Sequence, residues 1–146
     1  MNLILPVLLL FALLCAAWFW FECRWDRRLF ASEAGKKREN VRARAAMELL
    51  RTTGDLQVLD VRSAKEFARG ALPRAANISI SDAAFCERVN TLDRSKPVLV
   101  YCAGGFRSRK AVETLRILGF QSIYHLHRGY HSWLFAGLPV EKTAGA

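Results

Sequence analysis

Residues 101–111 read YCAGGFRSRKA, and they hold the residue types that nucleophilic chemistry needs. Cys102 follows directly on the apolar run PVLVY; Gly104, Gly105 and Arg107 come next, and then the start of an expected helix near Ser108. Three effects would favour a thiolate over a thiol at this place. Loop amides can point at a common centre where glycines permit the turns, the helix start contributes its positive end, and Arg107 adds a full charge. The sulfur would then be a nucleophile near neutral pH, and the same amides would hold an anion lying against it.

Two chemistries use such a cradle, and loop length separates them. Cysteine phosphatases place five residues between nucleophile and arginine; here there are four, Ala103, Gly104, Gly105 and Phe106. The shorter loop makes a smaller bowl. It suits a single extra sulfur on the cysteine better than a tetrahedral phosphate ester, so the spacing favours sulfur transfer. Phe106 is bulky for such a loop and is placed either to shield the sulfur or to select an apolar acceptor.

The elements around this loop follow from periodicity and punctuation. VRARAAMELLRT, residues 41–52, has helical spacing; LQVLDV, residues 56–61, reads as a buried strand. SAKEFARG predicts a helix capped by Ser63 and ending at Gly70. ANISI is a short strand, and Ser81 or Asp82 can cap a helix over SDAAFCERVNTL. PVLVY is the most strand-like segment. A helix over RSRKAVETLRILGF, a strand SIYHL and a last helix over residues 130–136 complete the chain. Strands alternating with helices predict a mainly parallel central sheet flanked by helices, an α/β fold. Ligands bind beyond the carboxyl ends of such strands, where Cys102 falls.

Three stretches together resemble the rhodanese-like family over residues 41–140. VLDVRSAKEFARGALPRAANI is similar to its first signature, VLVYCAGGFRSRKA to its active-site loop, and YHLHRGYHSWLFAGLPV to its closing signature. The resemblance implies a sulfurtransferase in which Cys102 is the catalytic nucleophile and passes through a persulfide. Ala103, Gly104, Gly105, Phe106, Arg107 and Ser108 would bind a small anionic sulfur donor such as thiosulfate, and a thiol or protein cysteine would accept the sulfur. No cofactor and no metal are implied. Arg62 and Glu66 are expected to support the site as an ion pair fixing nearby loops. Asp60, at a strand end on the active edge, divides evenly between support and substrate contact. Trp133 is expected to pack the last helix, and His125, His127 and His131 to have surface or packing roles. The chain departs from the family pattern at Ala71, where histidine is usual, and at Arg74 and Arg128, where glycine is frequent.

The remainder of the chain is of another kind. Residues 3–21 carry no charge over nineteen positions, about 28 Å as a helix and close to a bilayer's hydrocarbon thickness. Trp18, Phe19, Trp20 and Phe21 suit a membrane boundary better than a cleavage site, and Leu14 before Cys15 does not suit a lipoprotein signal. The expected organisation is a single transmembrane anchor over 1–21, a juxtamembrane linker over 22–39 and a rhodanese-like domain over 40–142. Arg24, Arg27, Arg28, Lys36, Lys37 and Arg38 follow the span, which places the catalytic domain on the cytoplasmic face of the inner (plasma) membrane. Of the formal net charge of +9, residues 40–146 carry sixteen basic and nine acidic side chains, hence +7. Basic residues alone do not make a nucleic-acid site, and no RNA-binding or zinc-finger spacing accompanies them. The four cysteines form no C-x-x-C pair, and Cys15, Cys23 and Cys86 read as bystanders in a reducing compartment. Two alternatives to the sulfurtransferase are a catalytically silent rhodanese-like binding module and a cysteine-dependent phosphatase or arsenate reductase.

Overall fold

A computed structural model of the chain describes residues 4–31 and 35–142. Residues 1–3 of the expected anchor and 32–34 of the expected linker lie outside the described residues. The chain divides into two compact units, Met1–Ala31 and Ser32–Ala146.

The first unit is one helix, α1 (Ile4–Leu29). Pro6 sits in its first turn, where a missing amide costs no helical hydrogen bond. Its apolar side chains from Ile4 to Phe21 are exposed, as fits a membrane span or a signal sequence rather than a core helix. The helix runs eight residues past the expected end of the apolar run, at 21. Arg27 and Arg28 occupy its last turn, where positive charge meets the negative end of the helix. Phe21 lies edge-on to Trp25 at 5.5 Å between centroids, and the Arg24 guanidinium lies 5.1 Å from the Trp20 ring.

The second unit is a five-stranded, all-parallel sheet covered by helices. In chain order it comprises β1 (Lys37–Val41), α2 (Ala43–Thr52), β2 (Gln57–Asp60), α3 (Ala64–Ala68), β3 (Ala75–Asn77), α4 (Phe85–Val89), β4 (Val98–Tyr101), α5 (Phe106–Ile117), β5 (Ser122–Leu126) and α6 (Gly129–Phe135). The strand order is β1-β5-β4-β2-β3. Central β4, VLVY, is buried at every residue, as a strand covered on both faces must be. One face of the sheet presents Val58, Leu99, Tyr101, Tyr124 and Leu126 to a cluster that includes Ala46 and Leu50 of α2 and Trp133 of α6. By strand alternation the other face presents Leu59, Val98, Val100, Ile123 and His125, and α5 packs there on β4 and β5.

Residues 37–39 of β1 were expected as linker, and residues 40 and 41 as the start of the domain, with helical spacing from Val41. KRENV carries three charges, and only Arg38 and Val41 of its five residues are buried. It is an edge strand that pairs with β5 alone, so its sequence lacks the apolar signal of a central strand. The domain's first strand therefore starts inside the segment assigned to the linker.

The two arginines at glycine-favoured positions take up left-handed backbone, Arg74 at φ 62° and Arg128 at φ 57°. At Arg74 the side chain offsets the strain. Its guanidinium donates to the carbonyls of Leu50 (2.7 Å) and Gly54 (3.3 Å), in and just past the last turn of α2. Nothing in the structure explains the arginine at 128.

Candidate active site

β4 ends at Tyr101, and Cys102 is the first residue of the turn into α5. The turn is short because α5 begins at Phe106, two residues before the expected start at Ser108. Gly105 precedes the helix at φ +100°, and a Cβ there would lie 3.3 Å from the Arg128 amide nitrogen. A side chain at 105 would thus meet both backbone strain and a neighbouring loop.

The turn closes on its own sulfur. The Gly105 amide donates to Cys102 Sγ at 3.1 Å and the Ser108 hydroxyl at 3.4 Å. From the other side, the first amides of α6 hold the turn's carbonyls: Tyr130 N–H donates to Cys102 O at 2.7 Å and His131 N–H to Ala103 O at 3.0 Å. That approach requires glycine at 129, where a Cβ would fall 2.2 Å from Cys102 O. Cys102 is the floor of this arrangement, only 1% exposed. Ala103 and Arg107 are half-buried, Gly104 is exposed and Phe106 is 54% exposed, its ring 5.4 Å from the Arg109 guanidinium.

The expected ion pair of Arg62 with Glu66 does not form; each takes a different partner. Arg62 clamps Asp60, with Nη2 2.6 Å from Oδ2 and Nε within 3.0 Å of both carboxylate oxygens, and it also donates to Gly70 O at 2.7 Å. The Arg62 guanidinium lies 4.1 Å from the Tyr130 ring centroid. Burial works against the charge of Arg62, but the hydrogen bonds and charge of Asp60 prevail and raise its pKa. Asp60 is fully buried beneath this clamp and is not a surface group.

Glu66 belongs instead to Arg107. Arg107 donates to both carboxylate oxygens, at 2.8 and 2.7 Å. Glu66 also closes the α3 capping box, accepting from Ser63 N at 3.0 Å and Ser63 Oγ at 2.8 Å. The Arg107 hydrogen bonds, with help from Ser63 and against some burial, hold the Glu66 carboxyl at a pKa of about 2. The Arg107 guanidinium is pushed above its ordinary range by Glu66, with a smaller contribution from the Cys102 sulfur.

Two further side chains, His125 and through it Asn40, connect to the cysteine turn and were not foreseen there. His125, expected at the surface or in ordinary packing, is fully buried behind the turn. Its Nε2 lies 2.8 Å from Ser108 Oγ and 3.2 Å from Gly105 O, and its Nδ1 lies 3.0 Å from Oδ1 of Asn40 on β1. The signal was present in SIYHL: a histidine alternating with tyrosine and leucine on a buried strand faces inward, and an inward histidine needs partners. Trp133 packs as expected, buried, with Nε1 donating to Pro139 O at 2.8 Å.

A parallel sheet with a cysteine turn at the carboxyl end of a central strand, closed by an arginine in the next helix, defines a class of α/β proteins built around one thiol. The family model of the rhodanese-like domain matches residues 43–136, and the chain belongs to that family. The chain is 34% identical to a rhodanese-related protein from Thermoplasma volcanium, whose crystal structure it matches at TM-score 0.64 over 72% of this chain and 99% of that one. It is 31% identical to the thiosulfate sulfurtransferase GlpE of Actinobacillus succinogenes, over 64% of this chain and 82% of GlpE. It is 39% identical to the uncharacterized protein YqhL of Bacillus subtilis, over 53% of this chain and 60% of YqhL. The chain spans 46% and 28% of the length of two further curated relatives. Distant relatives are therefore sulfurtransferases, and the chain joins their domain to an apolar N-terminal helix.

Proposed function

We propose that the chain is a sulfurtransferase held at the membrane by α1, with Cys102 as the sulfur carrier. The observation that carries this is the pair of donors, the Gly105 amide and the Ser108 hydroxyl, aimed at Cys102 Sγ. Donors so placed stabilise a thiolate in the resting state and a sulfur anion whenever one develops there. In the first half-reaction the Cys102 thiolate bonds to the outer sulfur of a donor such as thiosulfate. The donor's own sulfur–sulfur bond breaks, and its electron pair leaves with sulfite. In the second, a thiol or protein cysteine attacks the terminal sulfur as its thiolate, and the electron pair of the broken bond returns to Cys102. Arg107 binds the donor's oxyanion by exchanging Glu66 for it. Because the sulfur is covered at rest, that exchange and a small displacement of the exposed residues Gly104 and Phe106 open the way in.

Mass spectrometry of the full chain after thiosulfate should find one added sulfur, on Cys102. Cys102→Ala should take up none and transfer none while unfolding at the same temperature. The alternative of a silent binding module draws on the 1% exposure of Cys102; a wild-type chain that stays unmodified at every thiosulfate concentration would establish it and remove the mechanism above.

The anchor is supported by the length and exposure of α1, and its orientation by the arginines at its end. Cys86 on α4 is exposed and is the better topology probe than Cys102. A membrane-impermeant maleimide should label Cys86 in opened cells and not in intact ones; equal labelling in both reverses the orientation.

A further inference from the structure

Behind Cys102 runs a chain of side-chain contacts: Sγ to Ser108 Oγ (3.4 Å), Oγ to His125 Nε2 (2.8 Å), His125 Nδ1 to the Asn40 amide (3.0 Å), and that amide to His127 Nδ1 (3.3 Å). Ser108 and His125 are both fully buried. The serine has one proton and three acceptors within reach: the cysteine sulfur, Gly105 O at 3.1 Å and, were it unprotonated, His125 Nε2. Which acceptor receives the proton decides whether the sulfur has one donor or two.

The histidine resolves this. Gly105 O can only accept, and it lies 3.2 Å from Nε2, so Nε2 carries a hydrogen. A protonated Nε2 cannot accept from Ser108; its one hydrogen is shared between Ser108 Oγ and Gly105 O, and the second lone pair of Gly105 O takes the Arg109 amide at 3.3 Å. The serine proton is then left for Sγ. Nδ1 is under no such constraint. A side-chain amide has a donor end and an acceptor end, and Asn40 can serve either state of Nδ1 by a half-turn. The register holds the row in place: Asn40 of β1 and Val100 of β4 flank His125 on the sheet, and Ser108 faces it from α5. The groups that bear on the row by charge or titration are His127 through Asn40, and Arg107, paired with Glu66, on the Cys102 side.

We propose that His125 is a positioning residue for Cys102: its Nε2–H directs the single proton of Ser108 onto the sulfur and so supplies the thiolate with a second donor. This rests on Cys102 being the sulfur carrier, but its test does not need turnover. The full chain in detergent is alkylated with iodoacetamide across a pH series, and the Cys102 peptide is followed by mass spectrometry apart from the other three cysteines. Ser108→Ala and His125→Leu should each move the midpoint of the Cys102 profile up by about one pH unit, a roughly tenfold slower reaction at neutral pH. His125→Gln, which keeps an N–H where Nε2 stood, should restore most of the rate. The double variant Ser108→Ala/His125→Leu should move no further than Ser108→Ala alone.

If thermal unfolding shows that His125→Leu does not fold, His125→Asn, too short to reach Ser108, takes its place with the same expectation. A midpoint that stays put in the histidine variants overturns the proposal, and so does a double variant whose shifts add. A Cys102 that resists the reagent at every pH overturns it too. A wild type that takes no sulfur from thiosulfate but shows these shifts defeats only the sulfurtransferase assignment. One that takes sulfur but shows none defeats only the role of His125.

Discussion

Two of the domain's arginine–carboxylate pairs, Asp60–Arg62 and Glu66–Arg107, each hold two or more hydrogen bonds and differ in access to water. The side chains of the first are 0% and 4% exposed; those of the second are 32% and 37% exposed. In the first, the buried carbonyl of Gly70, the half-buried Tyr130 ring and the half-buried Asn77, whose Nδ2 donates to the carbonyls of both Asp60 and Arg62, hold the pair in place. In the second, one partner stands at the cysteine turn and the other on a half-open helix start. A sealed pair cannot exchange partners without leaving a bare charge in the interior, whereas a half-open pair can trade its carboxylate for another anion at little cost. On the proposed function, the first pair would hold the loops beyond β2 and the second would be the one to meet the sulfur donor.

The most severe way to break that division is to remove the sealed arginine. Arg62→Ala leaves Asp60 buried without its counter-charge and should cost about 3–5 kcal/mol of stability. Chemical denaturation of the full chain measures it, and a loss under about 1 kcal/mol would mean the pair is not the lock described here. Next in size is Arg107→Ala. Its effect on stability should stay within about 1 kcal/mol. The rate of persulfide formation from thiosulfate should fall about ten- to a hundredfold, the worth of one lost charge-assisted contact to the donor. If instead Arg107→Ala unfolds the domain and leaves the rate per folded molecule intact, the two pairs have exchanged roles.

Much of this was legible before any coordinates. PVLVY and LQVLDV are short apolar runs that can only be buried strands in an alternating pattern, and Ser63 ahead of a helical run is an N-cap by residue type and place, which the structure bears out. The turn after β4 was legible for the same local reason, since glycines beside a cysteine at a strand end constrain the backbone there. Partner choice was not. Glu66 and Arg62 are four positions apart and look like a pair, but the pair that forms joins Glu66 to an arginine 41 residues away. Sequence distance carries no information about contacts that the sheet order creates. β1 was lost to its charge, because an edge strand with one neighbour needs few apolar residues. With β1 unseen, Asn40 and so the row through His125 to Cys102 stayed hidden too.

The smallest expected effect sharpens the comparison most, because it reads one carboxylate. Glu66→Gln keeps a side-chain oxygen for the Ser63 capping contacts but removes the charge that Arg107 grips. Glu66 has its pKa depressed from an ordinary 4.5 to about 2, first by the Arg107 hydrogen bonds. A carboxyl with a depressed folded value contributes stability that is fully present above the unfolded value and is lost as pH falls through the folded one. The wild type should therefore exceed Glu66→Gln by a constant margin above about pH 5, and the margin should shrink on acidification and close near pH 2. With a third of the side chain in water, screening keeps that margin to about 1 kcal/mol or less. Denaturation midpoints of the two chains from pH 7 to pH 2 measure it. A margin that persists unchanged at pH 2 would trace to the capping geometry instead of the charge, and Arg107 would then have no electrostatic lock for a donor to displace.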